Sequence, residues 1–217
     1  MPTIAFGSEQ PFGALTGWNY TSASVTVEKK RANALDEIGN EDASQLYDEM
    51  TNVTASFVAA STTAPTIPPS IGAVLNGYIV TSIQVRTDRE AFATMTLTGH
   101  NHAANAHSGS EKSVAHNLTL ASGFGAKDFM AGTAGSNASI KSGTVTIECQ
   151  HADETDSSGG HLVGENYTPM ITAETEWVGV PSAAAESGWD VTSKPNPTSN
   201  TAFATYSVSG TKALAFS

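Results

Sequence analysis

Apolar and polar residues alternate with a period of two along most of the chain. Val25 and Val27 alternate with Ser24, Thr26 and Glu28. Val53, Ala55 and Phe57 share one side of a run, and Ile79, Thr81, Ile83 and Val85 share one side of the next. Ala93, Met95 and Leu97 oppose Phe92, Thr94, Thr96 and Thr98, and Val145, Ile147 and Cys149 oppose Thr144, Thr146 and Glu148. Two further runs carry Ile171, Ala173, Thr175 and Trp177, then Ala204, Tyr206 and Val208. Successive side chains on a strand point to opposite faces, so the pattern predicts half-buried strands, and the abundance of Val and Thr agrees.

Turn-forming residues separate the runs. Gly39-Asn40, Asn76-Gly77 and Asp88-Arg89-Glu90 mark turns, and the last predicts a hairpin over 78–99. Pro65-Thr66-Ile67-Pro68-Pro69 and Pro195-Asn196-Pro197 predict stiff connections. Asp153–Gly160 reads as a polar, Gly-rich loop, and 100–110, rich in Asn, Ala, Ser and Gly, as a loop tip. Helical spacing is confined to Glu111–Leu120, where Val114 and Leu118 stand four apart, and to Ala43–Met50, which reads better as a strand entering Val53–Phe57. The expectation is a single all-β domain over 1–217, a sandwich or barrel of antiparallel strands with long loops and at most one short helix. Residues 1–20 form an N-terminal arm, 28–52 a long loop or hairpin, and 200–217 a C-terminal strand and tail. The arm carries Phe6, Phe12, Leu15, Trp18 and Tyr20 without alternation. Such a segment wraps its own domain or docks on a neighbouring subunit.

Charge narrows the function. Twenty-one acidic residues against 10 basic ones give a net charge of −11. The one basic cluster, Lys29-Lys30-Arg31, is followed at once by Asp36, Glu37, Glu41 and Asp42. Tight phosphate-backbone binding needs clustered cations, so sequence-specific nucleic-acid binding is not expected. A single cysteine, Cys149, excludes an internal disulfide. The N-terminal residues lack the features of a signal peptide, and no apolar run approaches a membrane span, so synthesis in the cytoplasm without membrane anchoring is expected. The Asn-x-Ser/Thr triplets at Asn19, Asn52, Asn117, Asn137 and Asn166 read as chance in a Ser/Thr-rich chain.

A layout of two hairpins carries a resemblance. The first runs from Val25-Thr26-Val27-Glu28-Lys29-Lys30 through Asp36-Glu37-Ile38-Gly39-Asn40-Glu41 and Leu46-Tyr47-Asp48 to Val53-Thr54-Ala55-Ser56-Phe57. The second joins Ile71-Gly72-Ala73-Val74-Leu75 to Tyr78-Ile79-Val80-Thr81-Ser82-Ile83 and Ala93-Thr94-Met95-Thr96-Leu97-Thr98. Over residues 20–100 this resembles structural proteins of tailed bacteriophages, especially tail tube proteins. The resemblance implies a β-sandwich or barrel core, homo-oligomeric hexameric rings, and stacking of rings into a hollow conduit. It also implies a place in the virion tail among other virion proteins, with double-stranded DNA as transient cargo that does not stick to an acidic wall. Segment 28–52 would be the element that bridges rings. Phe6, Phe12, Trp18, Asp36, Glu37, Glu41 and Asp42 would make assembly contacts. The family commonly packs a helix against its sheet, for which 111–120 is the candidate here.

Candidate chemistry is sparse. His100 and His102 stand two apart, which puts both imidazoles on one strand face, Cys149 and His151 have the same spacing, and His107 and His116 lie between; such a set suits a transition metal. Against this stand the absence of CxxC and HExxH motifs and of a carboxylate at a familiar offset, together with the loop-like composition of 100–110. The expectation is therefore no metal and no cofactor, with His100, His102, Cys149 and His151 as the nearest approach to a ligand set. No GxSxG occurs, Gly123-Phe124-Gly125 lacks the lysine of a phosphate loop, and Asp153-Glu154-Thr155-Asp156 lacks calcium-loop spacing. No enzyme activity is expected. Two alternatives to a tail tube subunit stay open: another virion position (capsid decoration, neck or baseplate), or a β-sandwich module that binds glycan or metal.

Overall fold

The computed structural model describes residues 10–102, 112–130, 140–155, 161–178, 188–193 and 205–215. Eleven strands occur among them and no helix: β1 (Trp18–Leu35), β2 (Glu41–Ala59), β3 (Ser70–Ile71), β4 (Val74–Leu75), β5 (Tyr78–Asp88), β6 (Ala91–His102), β7 (Val114–Ala115), β8 (Ile140–Thr155), β9 (His161–Val178), β10 (Asp190–Ser193) and β11 (Thr205–Ala213). The order across the main sheet is β1-β2-β6-β5-β8-β9-β11-β10, with β4 paired to β5, and every pairing is antiparallel. The sheet does not close, which leaves β1 and β10 as its edges.

The alternating residues build the core. Val53, Ala55 and Phe57 of β2 pair with Gly99, Leu97 and Met95 of β6. Ile83 and Val85 of β5 face Ile147 and Val145 of β8, which face Ile171 and Ala173 of β9. These side chains are buried, while the Thr, Gln and Arg residues between them are exposed or half-buried. The apolar face is covered by connecting segments and by the small β3–β7 sheet rather than by a second large sheet. Phe12, Ile67, Ile71, Val114, Leu120, Phe129 and Met130 pack onto it, and Trp18 anchors its edge by donating from Nε1 to the Thr66 carbonyl at 2.9 Å. The architecture is thus the expected all-β sandwich type, with an open sheet.

Local turns follow their chemistry. Asn76 and Gly77 both adopt positive φ (49° and 88°), the requirement of a tight two-residue turn between β4 and β5. Gly143 allows the 121–130 segment to lie against β8: a Cβ there would stand 1.8 Å from the Lys127 carbonyl oxygen. The finger formed by β1 and β2 is longer than alternation alone predicts. Segment 28–52 is a paired hairpin rather than a loop, with register from Glu28↔Met50 to Leu35↔Glu41. Three ion pairs lace it: Lys29–Glu49 at 2.6 Å, Lys30–Asp48 at 2.5 Å and Arg31–Glu41 at 2.5 Å. Its tip is closed by Asp36, whose Oδ1 accepts from the Ile38 and Asn40 amides. Those hydrogen bonds, the Asn40 amide foremost, hold the Asp36 carboxyl below the usual range.

Three expectations are corrected. Glu111–Leu120 does not form a helix in its described part: Val114 and Ala115 pair with Ile71 and Ser70, and Val114 is fully buried. A valine at i, i+4 spacing serves a short strand as well as a helix. Asp153–Thr155 belong to β8 and pair with Gly164, Val163 and His161. His100–His102 are the end of β6, held by pairing to Asn52, Thr51 and Met50. The core makes two predictions. Ile83→Ala, at a fully buried position, should cost about 2–5 kcal/mol in chemical denaturation. Gly143→Ala should cost about 1–3 kcal/mol although it adds one methyl group, because the obstructing atom is backbone.

Candidate functional site

The strongest polar cluster among the described residues joins the ends of β6 and β8. His100, His102, His151 and Asp153 each offer one ligand atom, and these atoms all lie within 4.8 Å of one another. His151 Nε2 is 2.5 Å from Asp153 Oδ1, and His102 Nε2 is 3.4 Å from the same oxygen. The His100 ring lies 4.2 Å from the His151 ring and meets the His102 ring edge-on at 5.4 Å. His100 and His102 are buried, at 4% and 2% exposure.

Register explains the placement. Along β6, Met95, Leu97 and Gly99 face the core, so alternation sends His100 and His102 to the other face. A bulge in β5 between Val80 and Ser82 lets Ile79 pair with His100 while Val80 keeps to the main core. Ile79 is itself buried and gives the histidines an apolar neighbour. A second bulge, in β2, puts Asp48 at φ 52° and brings its Oδ1 to 3.8 Å from His102 Nδ1. The other oxygen of Asp48 pairs with Lys30, and that hydrogen bond raises the lysine pKa above its ordinary value.

Neighbouring groups fix the orientation of the cluster. Buried Asn166 on β9 donates from Nδ2 to the Lys112 carbonyl at 3.3 Å, which turns its Oδ1 toward His151 Nδ1 at 2.9 Å. Gly72 makes this close packing possible, since a Cβ there would stand 2.6 Å from the Lys112 oxygen and 3.0 Å from Asn166 Nδ2. An amide oxygen only accepts, so His151 donates from Nδ1 and its Nε2 faces the carboxylate. A neutral ring would then set two lone pairs against each other at 2.5 Å. The contact has the length of a charge-assisted hydrogen bond and calls for a proton on that axis; a metal ion bound to both atoms would hold them further apart. For Asp153, burial pushes the carboxyl pKa up, but hydrogen bonds from His102 and His151 and their charge outweigh it and hold the group far below the usual range.

The four candidate ligands named from sequence are only partly brought together. His100, His102 and His151 converge; Cys149 does not, and its thiol donates to the Thr81 carbonyl at 3.7 Å. The carboxylate that sequence reasoning missed is Asp153, two residues beyond His151, the same spacing as His100 and His102 on one strand. His107 lies outside the described residues, and His116 lies apart, its Nδ1 accepting from the Leu118 amide at 3.3 Å. Of the expected assembly residues, Phe6 lies outside the described residues. Phe12 and Trp18 are buried in the chain's own core, so for them the arm wraps its own domain. Asp36, Glu37, Glu41 and Asp42 are exposed at the finger tip. No family model and no curated protein matches the sequence.

His116 supplies a prediction. Burial pushes its pKa below the ordinary 6.5, with a contact to Pro68 opposing the shift. Between the lowered folded value and 6.5 the unfolded chain binds more protons, so stability rises with pH there. The contribution is complete above pH 6.5 and is lost as the pH falls through that window. Urea titrations from pH 7.5 to 5 should therefore show a shallower loss of stability in His116→Leu than in the wild type.

Proposed function

We propose that the chain is a structural subunit of a bacteriophage virion, most closely a tail tube subunit whose rings stack into a conduit for DNA. The observation that carries this reading is the β1–β2 finger. From Thr26 to Leu46 every residue is exposed, and among charged neighbours it holds Val27, Leu35, Ile38 and Leu46 at 52%, 63%, 79% and 60% exposure. Apolar side chains on a folded projection suit burial against another copy of the chain. Strand β1 is also an 18-residue sheet edge, a template that pairing between subunits would satisfy. The net charge of −11 suits a wall past which DNA slides.

Electron microscopy of the purified protein should show rings or stacked tubes. The double variant Leu35→Glu/Ile38→Glu should abolish them while leaving unfolding within about 0.5 kcal/mol of wild type, because both sites are exposed. Monomers alone at high concentration, with or without nucleating partners, would count against the reading. A decoration, neck or baseplate position would give assembly without a lumen. The histidine cluster favours one further reading, a metal-binding β module, which would bind its ion stoichiometrically with no assembly at all.

A further inference from the structure

We infer that His100, His102, His151 and Asp153 form a binding site for one divalent transition-metal ion of the zinc class, which clamps β8 to β6 where the strand between them ends. The clamp is independent of how the chain assembles.

Three imidazole nitrogens and one carboxylate oxygen make a set suited to Zn²⁺ and its neighbours rather than to Mg²⁺ or Ca²⁺, which take oxygen ligands. A tetrahedral ion about 2.1 Å from each ligand would space them about 3.4 Å apart. The present atoms lie within 4.8 Å of one another, so shifts of an ångström or so would bring them to that spacing. His102 Nε2 and His151 Nε2 already converge on one oxygen, Asp153 Oδ1. A dication bound among them, with His151 Nε2 and Asp153 Oδ1 drawn apart from 2.5 Å to ligand spacing, would satisfy both nitrogens and the carboxylate together. Asn166, fixed by the Lys112 carbonyl, accepts from His151 Nδ1 and so presents Nε2 as the ligand atom, the outer-shell support usual for metal-binding histidines. An open depression of about 490 Å³, lined by Lys29 and Lys30 as well as by Glu28, Asp48 and Asp153, reaches the cluster at Asp153.

The sheet gives the ion a task. β5 lies between β6 and β8 and pairs with β6 as far as Ile79↔His100, but its pairing with β8 stops at Ser82↔Glu148. Beyond Glu148, β8 continues to Thr155 with β9 on one side and no β5 partner on the other. The four ligands span this gap, two from each flanking strand. Residues 72–75 pair with the edge of β5 that β8 leaves, so a bound ion would tie β8 to β6 directly by coordinate bonds.

The test uses the full-length protein, stripped with a chelator and titrated separately with Zn²⁺ and Co²⁺. One equivalent should bind, Co²⁺ should develop the visible bands of a tetrahedral site, and the melting midpoint should rise by roughly 5–10 °C at about 100-fold excess over the dissociation constant. His151→Gln and His102→Gln should each weaken binding at least about 10-fold, and Asn166→Ala by about 10–100-fold. His116→Gln, away from the cluster, should bind as wild type does. Binding weaker than about 100 µM, or equal binding by wild type and His151→Gln, would overturn the site. If the cluster variants do not fold, proton spectra of the Co²⁺-loaded wild type decide. Shifted ring resonances from three imidazoles support the clamp, and fewer than three overturn it.

Discussion

Strand β5 is the constraint on which the rest of the molecule depends. It supplies ladder hydrogen bonds to β6 and β8 at once, and its Ile83 and Val85 lie fully buried at the centre of the core. Removing such side chains from water contributes about 1.5–3 kcal/mol each, and their neighbours on β6 and β8 depend on the same register. Yet β5 is 11 residues long, β6 is 12 and β8 is 16. Its flanking strands outrun it, and the bulge at Val80–Ser82 releases β8 three residues before β6. The polar cluster therefore sits where the β5–β8 pairing has stopped and the 72–75 segment takes over the edge of β5.

The same mismatch explains how buried histidines are tolerated. Polar side chains in a dry site are costly unless they are paired. Here His151 is held between Asn166 and Asp153, and His102 stands near Asp48 and Asp153. The supports come from β1, β2, β9 and the segment before β7. Sheet elements distant in sequence thus meet through polar contacts at one end and through apolar packing at the other.

Much of the fold was legible because its inner halves obey a strict period. Val53–Phe57, Ala93–Leu97 and Val145–Ile147 became strands with the faces that alternation assigned. The outer halves were less legible. From Thr26 to Leu46 both faces of the finger meet solvent, so no apolar rhythm marks them, and a paired hairpin reads like an acidic loop. Residues 100–110 and Asp153–Gly160 read as loops because small and polar residues dominate them, whereas partner strands keep Asp153–Thr155 extended, and His100 and His102 share one strand face as their spacing suggests. The histidine pair and His151 were visible as spacing. Asp153 was hidden by its apparent turn context, and the roles of Asn166 and Asp48 arise only from register and bulges. Phe12 and Trp18 show the converse: aromatic residues without alternation that nonetheless fill the chain's own core.

The ion-paired finger has a further consequence. Its strands are registered to each other by backbone pairing, by Lys29–Glu49, Lys30–Asp48 and Arg31–Glu41, and by the Asp36 turn. A projection of this kind is preorganised. Against the neighbouring copy proposed above, it would dock with its backbone entropy already lost during folding, where a disordered loop would lose that entropy on contact. Modest apolar contacts through Leu35 and Ile38 would then translate more fully into affinity. Raising the salt concentration, which screens the exposed pairs, should loosen the finger before it disturbs the buried sheet.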